Sequence, residues 1–585
     1  MDRVARWPVW GNVFAIGIGL AQSLAAPEAY PAPAPTRADV VLLGGKVLTV
    51  DGQNRVCSAL AILGERILAV GSDEEIAPAR IGPQTKVFHL RGKTLVPGFI
   101  ESHVHSIGVA RDSMANRYEE LSSIAEVQQW IRRRAAQVPA GTWIVVPRNE
   151  ITRLRERRHP TPEELDAACA THPVAFNSVQ KWVLNWLGFE RLGVTGDRQE
   201  VPGGRVLRDA SGRPRIIVGG DAHLRRFFPY PKYSDEETLA ALEKLLRHYN
   251  EVGITSINER ATNRDGYRLF RTLHERGRQT VRATLTFRQN MRSAEDVKRF
   301  VEQLGLAPRE GDDWVRAGLL KITVDGGIHW GTTRLSEPYG PRRCTFYLLD
   351  DPQYRGEQYY RPEEMREVFA AGHRLGWQMC CHVTGDGGIE SVLDALEAVD
   401  RQMPLADRRF TLLHAYFPTV QIVERCRRLG VCVDTHPYLY YKDCDAIAEV
   451  YGPTWAERFI GLGDWLRGGV PFTLSSDHME GWDPDHAMNS FRPLLAMSIA
   501  VSRINDHGKV YGPQQWISRI DALRAVTAGP AYLDFNEKTR GSLEPGKLAD
   551  LVVLDRDYLN CPDCELPQIK VVMTMVGGRV VFERE

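Results

Sequence analysis

At 585 residues the chain is longer than one ordinary domain, and its 43% hydrophobic and 25% charged residues give the balance of a soluble protein with a large core. Lys+Arg and Asp+Glu are 74 each, so net charge supplies no pull toward nucleic acid or an acidic membrane, and neither is expected as a partner. Ten scattered cysteines do not fix a redox compartment.

At the N-terminus, Arg3 and Arg6 precede an apolar stretch from Val13 to Leu20, and "SLAA" supplies small residues for cleavage. Residues 1–26 therefore read as a signal peptide, which implies an exported, periplasmic or secreted protein without a membrane-inserted segment after processing. The alternative is a flexible tail on a cytoplasmic protein. An Ala/Pro-rich spacer follows over 27–37. Residues 38–96 alternate short valine- and leucine-rich strands with glycine and aspartate turns, and 536–585 does the same. Both are hairpin patterns, and the economical reading is one small β-sandwich domain assembled from the two chain ends.

Between them, 97–535 alternates apolar strands with helical patterns. Strands are expected at 98–105, 253–259, 281–287, 318–325, 378–383, 410–416, 431–436 and 471–477. Eight such units imply the α/β class and a (β/α)₈ TIM-like barrel. Residues 107–250 are too long for one loop and read as an insertion after the first strand, with helical pieces such as "SIAEVQQWIRRRAAQV", serving as a lid or substrate-binding region. The arginine-dense "ITRLRERRH" (151–159) is expected as a solvated helix face or loop. "CPDC" (561–564) offers a local disulfide or half of a metal site.

The polar residues of the barrel strands gather at their C-terminal ends. Alternation points His103 and His105 to one face, the fifth and sixth strands end in His382 and His414, and the eighth ends in Asp477. Lys321 interrupts the apolar fourth strand "GLLKITVD", where an unpartnered ammonium is costly. In this barrel type the C-terminal rim holds the active site, and four histidines with a carboxylate suit zinc or a similar divalent metal. His89, His172, His223, His373 and His507 lack that setting and read as ordinary hydrogen-bonded residues.

The motif "LVPGFIESHVHS" (95–106) resembles the opening of the amidohydrolase superfamily, and "AVTAGPAYLDFNEKTRGSLEPGKLADLVVLD" (525–555) resembles its closing segment. "LKITVDGGIHWGTTRLSEPYG" (320–340), "CHVTGDGGIE" (381–390), "LLHAYF" (412–417) and "SSDHMEG" (475–481) are similar to the amidohydrolase family 3 branch, which includes N-substituted formamide deformylases. The resemblance spans 38–582. It implies that His103, His105, His382, His414 and Asp477 bind one or two divalent metals, with zinc the expected metal. It also implies that Asp477 takes a proton from the attacking water, and that Lys321 carries CO₂ as a bridging carbamate. The chain departs from the branch at Lys181, where relatives carry a Gly-His pair, and lacks a glutamate before His414. His329 and Trp330 are additional and are expected beside the substrate, with His329 a candidate to steady an oxyanion.

The implied activity is metal-dependent hydrolysis of an amide-type C–N bond, other than peptide bonds in general, in a small molecule. An ester, lactone or cyclic-amide hydrolase using the same centre is the nearer alternative, and a non-catalytic binding module of the same fold the more distant one. Self-association into a homo-oligomer is compatible with the sequence.

Overall fold

The computed structural model describes residues 36–115, 118–178, 180–194, 200–228 and 231–585, so the segment expected to be a signal peptide and nearly all of the expected spacer lie outside the described residues. All eight expected barrel strands form: β1 (Phe99–Val104), β2 (Ile254–Thr262), β3 (Arg282–Arg288), β4 (Val315–Thr323), β5 (Met379–Val383), β6 (Thr411–His414), β7 (Cys432–Thr435) and β8 (Phe472–Leu474). They lie in sequential order in one eight-stranded parallel sheet. Their near-continuous apolar runs follow from burial on both faces: β4 hides every residue except Arg316 and Thr323, which are half-buried. The ring closes where Val104 bridges His478 in parallel and the His105 amide donates to the His478 carbonyl at 3.0 Å.

Two strands end earlier than their apolar patterns suggest. His414 and Ala415 have φ of 79° and 43°, and Asp477 has φ of 52°, so the chain leaves the extended conformation at those points. Such left-handed backbone is uncommon for residues with a β-carbon and concentrates at functional sites.

The chain ends form the expected sandwich. One sheet orders Arg66–Gly71, Ala59–Leu63, Val40–Leu43 and Lys86–His89; the other orders Arg579–Glu583, Val571–Val576, Leu551–Leu554, Thr94–Pro97, Lys46–Leu48 and Val56–Cys57. Thr94–Pro97 pairs antiparallel with Leu551–Leu554, which joins the two ends within one sheet. Leu42, Leu60 and Ile62 of the first sheet share an apolar cluster with Val47, Leu95, Leu551 and Met575 of the second.

The insertion contains more than the expected helical pieces. Ile124–Ala135 is a helix capped by Ser123, but a six-stranded sheet spans residues 144–219. Period-two alternation divides its side chains: Val174, Phe176 and Val183 meet the helix through Trp130 and Ile131, while Ala175, Trp182 and Leu184 pack with Phe189 on the other face. The basic run 151–159 is not a helix and is only partly solvated. Ile151 and Leu154 are buried, and Arg153 turns inward to Asp443 at 2.9 Å, because that buried carboxylate requires a cation. Cys561 and Cys564 are free thiols. No helix among the described residues is long and apolar enough to cross a membrane.

The sandwich is tied to the barrel by a buried ion pair. Arg282, at the start of β3, donates from Nε and Nη2 to Asp550 at 2.8 and 3.0 Å, and Asp550 also accepts the Gly577 amide at 2.8 Å. Removing one partner strands the other charge away from water. Arg282→Met should cost about 3–5 kcal/mol in urea unfolding, whereas a loss below about 1 kcal/mol would mean that the pair does not hold the two parts together.

Candidate metal centre

At the C-terminal mouth of the barrel, His103, His105, Lys321, His382, His414 and Asp477 all line one cavity of about 560 Å³. Every one of the six residues singled out from the strand ends therefore reaches the same space. Asp477 Oδ1 lies 3.4 Å from His103 Nε2 and 3.2 Å from His105 Nε2. The His103 and His414 ring centres are 5.2 Å apart, and those of His382 and His414 are 4.3 Å apart. Ligand atoms of His103, His414 and Asp477 all fall within 4.8 Å of one another. His103 Nε2, His414 Nε2 and Asp477 Oδ1 are buried without a hydrogen-bond partner among the described residues. Buried polar atoms are normally satisfied, so converging bare nitrogens and a carboxylate oxygen fit a divalent cation.

The electrostatics agree with that fit. Burial pushes His103 and His414 well below the ordinary histidine range and brings His382 down to about 3, which keeps the imidazoles neutral, the form that ligates metal. For Asp477 burial works to raise the pKa, but the surrounding His103, His105 and His414 outweigh it and keep the group a carboxylate.

A second set of residues, absent from the sequence reading, orients the first. His436 follows β7, is buried, and places Nε2 2.7 Å from His414 Nδ1 and Nδ1 2.9 Å from Ser475 Oγ. Two residues earlier, Asp434 accepts hydrogen bonds at Oδ1 from the hydroxyls of Ser102 (3.0 Å), Thr473 (2.8 Å) and Ser475 (2.6 Å). Its other oxygen lies 3.3 Å from His103 Nδ1 and 3.5 Å from Arg260. The hydrogens can then be assigned. Ser475 commits its one proton to the carboxylate, so its oxygen accepts from His436 Nδ1. His436 Nε2 is then bare and accepts from His414 Nδ1, which leaves the His414 Nε2 lone pair directed at the cavity. On the other side, His382 Nε2 donates to the Gly326 carbonyl at 2.9 Å, which leaves Nδ1 of the neutral ring with its lone pair. The signal for His436 was available in "VCVDTH": a histidine ending a barrel strand, in the same position class as His382 and His414.

Lys321 is buried at the cavity floor, and its ammonium has no hydrogen-bond or ion-pair partner among the described residues. Asp325, the nearest sequence candidate for such a pair, is occupied by the amides of Thr384, Gly385 and Arg334 at 2.8, 3.0 and 3.2 Å. Burial brings Lys321 down to about 8.

The insertion forms part of the rim. His329 and Trp330 line the cavity, and His329 Nε2 lies 3.0 Å from Asp443. Lys181 is buried and donates to the Trp330 carbonyl at 2.9 Å and the Tyr347 carbonyl at 2.6 Å. Lys181 thus fastens the insertion to the loop carrying His329 and Trp330.

A sequence model described as "Amidohydrolase family" matches residues 86–582. The N-substituted formamide deformylase of Arthrobacter pascens is 28% identical over 567 residues, covering 93% of this chain and 98% of that protein. The putative amidohydrolase YtcJ of Bacillus subtilis (strain 168) is 23% identical over 562 residues, covering 92% and 99%. Among solved structures, an uncharacterized metal-dependent hydrolase from Pyrococcus horikoshii OT3 superposes with a TM-score of 0.65 at 22% identity, over 90% of this chain and 99% of that one.

Partners that hold a metal-binding histidine in place contribute strongly to affinity. Asp434→Asn should lower affinity for a divalent cation by about 10–100-fold in competition with a chelator, with an unchanged far-ultraviolet circular dichroism spectrum. Wild-type affinity in that variant would remove Asp434 from the orienting role.

Proposed function

This chain belongs to the amidohydrolase family, and we propose that it hydrolyses an amide-type C–N bond in a small molecule. The observation that carries the reading is the convergence of bare, neutral imidazole nitrogens and an ionised carboxylate in one deep cavity. The likeness to the N-substituted formamide deformylase of Arthrobacter pascens supports a C–N bond as the target.

His103, His105, His382, His414 and Asp477 would hold one or two divalent ions, with zinc the best match to this set of imidazole and carboxylate donors. A bound ion supplies Lewis acidity, making water a nucleophile near neutral pH and polarising a carbonyl oxygen. The chain's residues manage the protons. Asp477 is in place to accept a proton from water as its oxygen bonds to the carbonyl carbon, and to return that proton to the nitrogen as the C–N bond breaks. The products are a carboxylic acid and an amine. Tyr416 and Trp330 add aromatic surface to the lining of the same cavity.

Lys321 is assigned a carbamate. With its pKa brought down by burial to about 8, about a tenth of the amine is neutral at pH 7. The amine nitrogen would add to CO₂ and release a proton, giving an anion whose two oxygens would serve as further ligands for a cation. That product relieves an otherwise unpartnered buried charge.

Turnover should be found with zinc-loaded protein among N-formyl and N-acyl amines, and chelation should abolish it until metal is restored. Asp477→Asn should reduce kcat by about 10²–10⁴-fold. No turnover across amides, cyclic amides and aryl esters alike would count against a hydrolase. Intact-protein mass spectrometry under native conditions should find the added mass of one CO₂, lost in Lys321→Ala together with metal. Short carboxylates should partly restore metal binding to that variant, and a fully active, metal-replete alanine variant would end the carbamate assignment.

A further inference from the structure

The cavity contains a cation that the proposed chemistry leaves unused. Arg148 is paired with Glu150 at 2.8 Å, Arg153 with Asp443 at 2.9 Å, and Arg292 with Glu364 at 3.3 Å. Arg288 lines the same cavity and has no hydrogen-bond or ion-pair partner among the described residues. It ends β3 as the cross-strand partner of Lys321 on β4, so the two lie side by side at the barrel mouth, Lys321 buried and Arg288 exposed above it. The cavity's carboxylates face other groups: Glu150 pairs with Arg148, Asp325 accepts three backbone amides, and Asp477 lies against His103 and His105 at the candidate metal site.

An exposed arginine at a strand end is commonly just solvated. Here the guanidinium lines the mouth of the cavity, and none of the carboxylates that line that cavity pairs with it. Such an arrangement attracts anions and favours a planar, two-oxygen acceptor, because the guanidinium presents paired N–H donors in one plane. We propose that Arg288 binds a carboxylate on the substrate, so that the preferred amide is one bearing a free carboxylate rather than a neutral N-substituted amide. This inference rests on the hydrolytic reading for its chemistry, but the binding preference is measurable without turnover. The carbamate proposed on Lys321 is the competing acceptor for Arg288, and the same experiment separates the two.

The test compares N-formylphenylalanine with N-formyl-2-phenylethylamine, which has the same skeleton without the carboxylate, using zinc-loaded protein. Wild type should favour the acid. Arg288→Gln should lower kcat/KM for the acid by about 10–100-fold, the range of a lost charge-assisted hydrogen bond, and change the neutral partner little. An equal loss for both compounds, no loss for either, or loss of zinc or of the CO₂ mass in Arg288→Gln would overturn the assignment. If wild type hydrolyses neither compound, calorimetric binding decides. Tighter binding of the acid that disappears in Arg288→Gln upholds the carboxylate site while the hydrolytic reading falls. Equal affinity for the two compounds, or no binding, overturns the site.

Discussion

The candidate metal centre depends on one buried charge. Asp434 is fully enclosed, and a carboxylate in that setting is tolerated only when its lone pairs are taken up. Ser102 from β1, Arg260 from β2, and Thr473 and Ser475 from β8 or just beyond it all converge on this residue of β7. The same contacts stitch the seam where the last strands meet the first. The requirement to satisfy one anion therefore joins barrel closure to the orientation of His103 directly and of His414 through His436.

What the sequence revealed follows the range of the signals. Eight apolar strands with helices between them carry a strong pattern, and all eight formed close to their expected positions. His103, His105, His382, His414, Lys321 and Asp477 were legible because each breaks an apolar run at a strand end, and all reach one cavity. Asp434 and His436 were not singled out, although "DTH" ends a strand in the same manner. Their importance arises from contacts with residues up to 332 positions away, which no local pattern encodes. The insertion's sheet was missed because its strands are only two to six residues long and offer too few alternations to stand out. Arg153 was grouped with a solvated basic run, since its partner Asp443 lies 290 residues away.

The cavity divides into two electrostatic zones. At the floor, burial keeps imidazoles neutral, and the histidines around Asp477 outweigh burial to keep it ionised, a setting suited to a cation. At the rim, ion pairs formed by Arg148 and Arg153 neutralise most charge and leave Arg288 in excess. The insertion supplies Arg148, Glu150 and Arg153 and is fastened by Lys181, so the character of the rim belongs largely to that segment. Variation there can change which molecules are accepted while the strand ends below it keep their chemistry.

The shared sandwich sheet also sets an order of events during synthesis. Thr94 donates a hydrogen bond to Arg556, 462 residues later in the chain, and Thr94–Pro97 acquires its antiparallel partner only when Leu551–Leu554 has been made. Until then the apolar N-terminal strands have an unfilled edge, while the whole barrel must emerge and fold between the two halves. Contacts of such sequence separation form slowly because loop closure precedes their reward. The ribosome therefore delivers the clasp only after the barrel: the strands from Leu551 onward both complete the small domain and seal the edge that the N-terminal strands leave exposed until then.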